Sequence, residues 1–192
     1  MQIYDAINKR RTIRKFKQTR IDRGILIKFV EAARLAPSAA NIQPLKYLIV
    51  DEDKCVGKVF ETVKWAGYIV PEGNPKKGEE PTAYIVILAD TEIKKSNYQH
   101  DAGAAAQNIM LAAIEEGIGS CWIGSINREA LREILNIPES LEINTIIALG
   151  YPAEEPVVEE YSGFIKYYKD EKGKLHVPKR SLKNLVMFNK LR

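Results

Sequence analysis

Apolar positions recur at helical spacing near the N-terminus, where Ile3, Ala6 and Ile7 share one face of a helix over about 2–10. The same spacing in Ile25, Leu26, Phe29, Val30, Ala33 and Leu35 predicts a helix over about 23–35, with Asp22 as its N-cap. Pro37 stops that helix, because the residue before a proline avoids helical backbone angles. Residues 37–44 then form a polar loop with a proline at each end, and 45–50 is an apolar run read as a buried strand. A helix over about 53–64 follows. Residues 82–89 are continuously apolar and belong at a sheet centre. Ser96 and Gln99 have capping-box spacing for a helix over about 97–116. A short strand over 120–123, a helix over 128–135 capped by Asn127, and a strand over 143–150 complete the pattern.

The helix over 97–116 carries no charge from Ala102 to Ile114 and is small-residue-rich, so it must be buried on most faces. Its small side chains suit close approach by another helix, as at a subunit interface. Gln107 and Asn108 are its polar interior residues, each read either as a satisfied buried amide or as a ligand contact. Residues 66–82 hold Gly67, Pro71, Gly73, Pro75, Gly78 and Pro81, which marks a long surface loop of the lid or binding-loop kind. Beyond Tyr151-Pro152 the chain turns polar, aromatic and basic, with too little periodicity for a core of its own. The fold expected is α+β, a three-layer α/β/α sandwich with a mixed sheet packed on the long apolar helix. One domain over 1–192 is expected, with a core over 1–152 and an extension over 153–192 that wraps the body or a second subunit.

Composition changes this picture little, but charge placement does. Residues 1–28 hold nine basic and two acidic side chains, as do residues 166–192, so each end carries +7 against a whole-chain net charge of +4. Solvated tails, a nucleic-acid-binding face and a grip on a compact anion all fit that asymmetry. No stretch has the roughly 20 apolar residues of a membrane helix, and no signal-peptide core follows Met1. Cys55 and Cys121 make no disulfide framework, which points to reduced thiols and a cytoplasmic location. Cys121 reads as a small buried hydrophobe before it reads as a redox thiol.

Catalytic side chains are scarce. Two histidines, His100 and His176, give no zinc spacing and no metal site is expected. There is no Gly-x-Ser-x-Gly elbow or Walker loop, and the glycines at 117 and 119 follow a helix, unlike a dinucleotide fingerprint. His100-Asp101 reads as capping and surface. An enzyme with so few acids, bases and nucleophiles needs a cofactor to carry its reaction. What remains is an anion grip: Arg10, Arg11, Thr12 and Arg14, with a second basic cluster at Lys179 and Arg180.

These residues resemble a known family. Arg10-Arg11-Thr12-Ile13-Arg14-Lys15-Phe16 is similar to the N-terminal motif of the nitroreductases, and Ala36-Pro37-Ser38-Ala39-Ala40-Asn41-Ile42-Gln43-Pro44 to the next signature. Pro81-Thr82-Ala83-Tyr84-Ile85, Asp101-Ala102-Gly103 through Gln107-Asn108, Gly117 through Gly124, and Leu149-Gly150-Tyr151-Pro152 resemble further segments in the same order. The resemblance implies an intertwined homodimer with FMN at the subunit interface. Arg10, Arg11, Thr12 and Arg14 would hold the phosphate and ribityl chain, joined by Lys179 or Arg180. Pro37, Ser38, Ala39 and Asn41 would come from the other subunit. Gln107 would be a further flavin contact, and Trp122, Ile123 and Gly124 would bring their backbone to the ring, where N–H groups can stabilise negative charge.

The activity so implied is ping-pong oxidoreduction. NADH or NADPH reduces FMN by hydride transfer to N5, and a nitroaromatic, quinone, enone or free flavin is then reduced in the same place, with no catalytic side chain required. Reductive dehalogenation or other specialised flavin chemistry within the family is the alternative. A basic nucleic-acid-binding module is the rival from another class.

Overall fold

A computed structural model describes residues 2–190. Five strands build the main sheet. A central hairpin-like pair is formed by β3 (Ala83–Asp90) and β5 (Leu141–Pro152), which run antiparallel. β2 (Leu45–Val50) flanks β3, and β4 (Gly119–Ile123) flanks β5, both antiparallel. The two-residue β1 (Phe16–Lys17) extends the sheet at the end of β5, at Tyr151 and Pro152. The parallel element in this sheet is the single bridge between Thr12 and Ser120.

Alternation along β3 sorts the core into two layers. Ala83, Ile85 and Ile87 face α2 (Arg23–Arg34) and α4 (Gln99–Glu115), together with Ile147 and Leu149 of β5. Tyr84, Val86 and Leu88 face α3 (Asp53–Phe60) and α5 (Arg128–Leu135), with Ile146, Ala148 and Cys121. Helices cover both faces, so β3 reads as an unbroken apolar run although its partners are antiparallel. Each fully buried Ile or Leu contributes about 1.5–3 kcal/mol by leaving water. The expected three-layer α/β/α architecture is the observed one.

The helix signals hold in detail where side chains make the caps. The Asp22 carboxylate accepts from the Gly24 amide at 2.7 Å, and Asn127 Oδ1 accepts from the Ala130 amide at 3.2 Å. The capping box at Ser96 and Gln99 does not form. Asn97 takes a left-handed φ of 61°, which carries Ser96 out of reach, and α4 begins at Gln99 with Tyr98 in the N-cap position and no side-chain cap bond. Helix α3 ends at Phe60 rather than near 64, because the Lys64 amide leaves the helix to donate to the Ser125 carbonyl at 3.0 Å.

Helix α4 is buried along Ala102, Ala105, Ala106, Ile109, Met110 and Ala113, against α2 and the sheet. The opposite stripe, Gly103, Ala104, Gln107, Leu111 and Ile114, stays half-exposed. Helix α1 (Ile3–Lys9) lies on α4 with Ala6 buried and Ile3, Tyr4 and Ile7 exposed. No helix among the described residues is long and apolar enough to cross a membrane.

The extension, expected to lack a core of its own, folds as a small sheet of β6 (Val157–Glu160), β8 (Leu175–Lys179) and β7 (Tyr168–Lys169), in which Leu175 is the one buried residue among those described. His176 sits between Glu159 at 3.0 Å and Asp170 at 3.3 Å, stacked on Tyr168. Hydrogen bonding to Glu159 is the main cause that raises its pKa above the ordinary histidine value.

Candidate functional site

The basic N-terminal segment is tied to the start of β4. Thr12 bridges Ser120, and the Ile13 amide donates to the Ser120 carbonyl at 2.9 Å. This close approach needs glycine at 119. A Cβ there would lie 2.9–3.1 Å from three atoms of Ile13. Gly119→Ala is therefore expected to lift the 12–14 segment from β4 and cost about 1–3 kcal/mol, as overpacking does. A fall in the thermal unfolding midpoint checks it, and an unchanged midpoint would show that the segment is not held by this contact.

Arg10 and Arg11 stand side by side, half-buried, where α1 ends. Burial lowers the pKa of Arg10, and burial followed by repulsion from Arg10 lowers that of Arg11. Arg11 donates to the Arg10 carbonyl, yet neither guanidinium makes an ion pair with a carboxylate among the described residues. A cleft of about 630 Å³ adjoins them, lined by Arg11, Ile13, Gly117, Gly119, Glu154 and Val157 among others. Arg14 differs. Its amide donates to Glu154 at 2.6 Å, and its guanidinium lies 4.7 Å over the Tyr167 ring, which in turn packs on Tyr68.

The second signature is a strained loop. Ala40, Asn41 and Gln43 all take left-handed φ values of 52–55°, each at a cost of order 1–3 kcal/mol. Asp101, the second residue after the helix start read as surface from sequence, holds the loop instead. It is 4% exposed, accepts from Ser38 Oγ at 2.8 Å and the Ala39 amide at 3.3 Å, and pairs with Lys94 at 3.6 Å. Pro37, Ser38 and Asp101 line a cavity of about 140 Å³ with Gln43 and Tyr47. Asn41 is exposed, and its carbonyl accepts from Gln43 Nε2.

At the far end of β4 the backbone is held by its carbonyls. Ile123 O accepts from Thr145 Oγ1 at 2.7 Å, Gly124 O from Arg128 at 3.5 Å, and Ser125 O from the Lys64 amide at 3.0 Å. The amides of Gly124, Ser125 and Ile126 make no hydrogen bond among the described residues. Ile123 itself is buried in the α3/α5 layer. Trp122 is 46% exposed on the other face, its indole N–H bonded to Thr145 Oγ1 at 2.6 Å. An open cleft of about 650 Å³ lies here, lined by Gln99, Trp122, Gly124, Arg128 and Thr145 among others.

Of the two amides in α4, Asn108 is satisfied by the Ala32 carbonyl at 2.9 Å, whereas Gln107 is half-buried with no hydrogen bond among the described residues. Lys179 ends β8 exposed, and Arg180 lies 5.1 Å over Tyr161; the extension meets the N-terminal segment instead through Ala153, Glu154 and Tyr167. Cys121 is buried in the apolar layer, and burial pushes its thiol up to about 11. Cys121 is expected to resist alkylation at pH 8 until the protein is unfolded. Modification at the same rate with and without denaturant would contradict its burial.

The comparisons with known proteins decide the family. A model of the Nitroreductase family matches residues 7–151. The chain belongs to this family. A protein of Archaeoglobus fulgidus, provisionally named NADH dehydrogenase/NAD(P)H nitroreductase, is 37% identical over 156 residues, 78% of this chain and 84% of its own length. Iodotyrosine deiodinase of Thermotoga neapolitana is 28% identical over 165 residues, 78% of this chain and 88% of its own. A nitroreductase-type structure from Desulfovibrio desulfuricans, solved in complex with FMN, superposes with a TM-score of 0.73 at 26% identity, covering 100% of this chain and 99% of that one. Asp101, Thr145, Arg128 and Tyr167 are the site neighbours that sequence reasoning missed. The one sequence signal was the polar Thr145 inside an apolar strand run.

Proposed function

We propose that this nitroreductase-family chain is an FMN-dependent oxidoreductase that takes reducing equivalents from NADH or NADPH and delivers them to a small organic acceptor. The observation that carries the reading is the pair Arg10 and Arg11, half-buried cations with no carboxylate partner among the described residues. A phosphate supplies the missing counter-charge, in the bidentate geometry guanidinium groups favour. Thr12 and Arg14 continue the grip toward the ribityl chain. From Ser120, beside Thr12, to Gly124 is four strand residues, about 13 Å, which leads from the phosphate end toward the ring. There the free amides of Gly124, Ser125 and Ile126 offer hydrogen bonds to its polar edge, while Trp122 shields it from water. When bound, FMN supplies the hydride chemistry, with donor and acceptor using the site in turn.

The same reading places the cofactor between two copies of the chain. The 10–14 segment lies beyond the C-terminal end of α4 and the Ser38 loop at its N-terminal end. Asp101 and Ile114 on that helix are about 20 Å apart at 1.5 Å per residue. Two copies joined through the half-exposed stripe of α4, with the helices opposed, bring Pro37, Ser38, Ala39, Asn41 and Gln107 of one beside the arginines of the other. The exposed Leu182, Leu185, Met187 and Phe188 suit an extension that wraps the partner. Lys179 and Arg180 are carried toward a phosphate by that extension.

Nitroaromatics, quinones, enones or free flavins are the acceptors proposed. The likeness to an iodotyrosine deiodinase favours a second reading, reductive dehalogenation. Reconstitution with FMN, followed by NADH and NADPH oxidation assays with a nitroaromatic, a quinone and a halophenol, separates the two. No oxidation of either nicotinamide with any acceptor would remove both.

A further inference from the structure

We infer that Thr145 is a positioning residue that aims the Gly124 amide into the cofactor site, acting through Trp122 and the Ile123 carbonyl. The inference rests on the FMN reading above. Thr145 is 3% exposed, and its hydroxyl meets two groups of the β4 end, Trp122 Nε1 at 2.6 Å and Ile123 O at 2.7 Å. An indole nitrogen only donates, so the hydroxyl must accept from Trp122 and give its own hydrogen to Ile123. Both bonds then have one direction each, with no rotamer freedom left to the hydroxyl.

A trans peptide points its carbonyl and its amide in opposite directions. Fixing Ile123 O toward Thr145 therefore fixes the Gly124 N–H away from it. That amide has no partner among the described residues, and Gly124 borders the same cleft as Trp122. Removing the hydroxyl releases both the peptide plane and the indole.

Thr145 sits beside a bulge in β5. The β3–β5 register shifts between Ile87 and Leu88, which face Thr145 and Ile143, leaving Asn144 as the extra residue. Such a bulge re-aims the side chains beside it. Here it turns Ile143 into the α3/α5 layer, while Thr145, in step with Ile147, keeps the α4 face under Trp122. Arg128 holds the bulge, donating to Ile143 O at 2.9 Å and Asn144 O at 3.0 Å. Both partners of the hydroxyl belong to the strand end that borders the cleft.

The test compares wild type, Thr145→Ser and Thr145→Val, each stripped of flavin and titrated with FMN by fluorescence quenching, with native circular dichroism as the folding check. Valine keeps the shape and removes the hydroxyl. Its FMN Kd is expected to rise about tenfold, the loss of one buried hydrogen bond, while serine stays within about threefold of wild type. Hydrogen exchange at the Gly124 amide of the wild type, with and without FMN, reads the same aim without any variant, and protection on binding is expected. A purely structural role lowers the unfolding temperature of the valine variant and leaves its Kd unchanged; that result, or a Gly124 amide unprotected by bound FMN, overturns the inference while the FMN reading stands. Wild-type protein that binds no FMN overturns both.

Discussion

Arg10→Ala is expected to weaken FMN binding by about 10- to 100-fold, the worth of a charge-assisted hydrogen bond to phosphate. In the free protein Arg10 carries the cost of a half-buried charge with no carboxylate partner among the described residues. The alanine variant should therefore fold at least as well as wild type without flavin and lose its advantage only when FMN is present. Arg14→Ala should lose less, because that guanidinium already rests on Tyr167. Titration of the flavin-free variants, repeated at higher salt, checks the order: the gap should narrow as the phosphate charge is screened. Equal affinities across wild type and both variants would move the anion site elsewhere.

Asp101→Ala is expected to cost about 3–5 kcal/mol, since it leaves a buried cation and two donors without their acceptor. Lys94, Ser38 and the Ala39 amide all lose the same carboxylate, and the loop they hold contains three left-handed residues. For a chain of this size the unfolding midpoint should fall by about 10 °C. The pH dependence follows from the direction of the carboxyl's shift. Burial raises its pKa, but the Ser38 and Ala39 hydrogen bonds and Lys94 outweigh that and hold it below the ordinary value. A depressed carboxyl stabilises fully above its unfolded pKa, near 4, and the contribution fades as pH falls through the folded value. Wild-type thermal midpoints should converge on those of the variant as the pH drops below about 4. A constant difference down to pH 2 would assign the stabilisation to something other than the charge.

Much of the sheet and its helices was legible in the sequence because local pattern and burial agree there. The 45–50 run is a strand with those bounds, and Asp22 and Asn127 cap the helices they precede. Signals failed where long-range contacts set the outcome. Lys64 leaves its helix for Ser125, and Asn97 turns left-handed before α4. Strands of two to five residues in the extension, such as β7 and β8, are too short for alternation to show. For the site, the residues that would touch a ligand carry motifs, whereas those that hold them do not. Asp101 and Thr145 act through neighbours 63 and 22 residues away in sequence; nothing local marks the role of Asp101, and Thr145 shows only as a polar residue in an apolar run. The uneven charge gains a narrower meaning: of the nine basic residues in 1–28, Arg10, Arg11 and Arg14 are half-buried without an ion pair among the described residues, and of these Arg14 rests on a ring.

Titration of flavin-free protein with FMN, read by quenching of flavin fluorescence, decides whether the arginine pair holds this cofactor. Saturable binding at one FMN per chain is expected, weakened by Arg10→Ala in folded protein. Absence of saturable binding, or binding indifferent to that substitution, would contradict it.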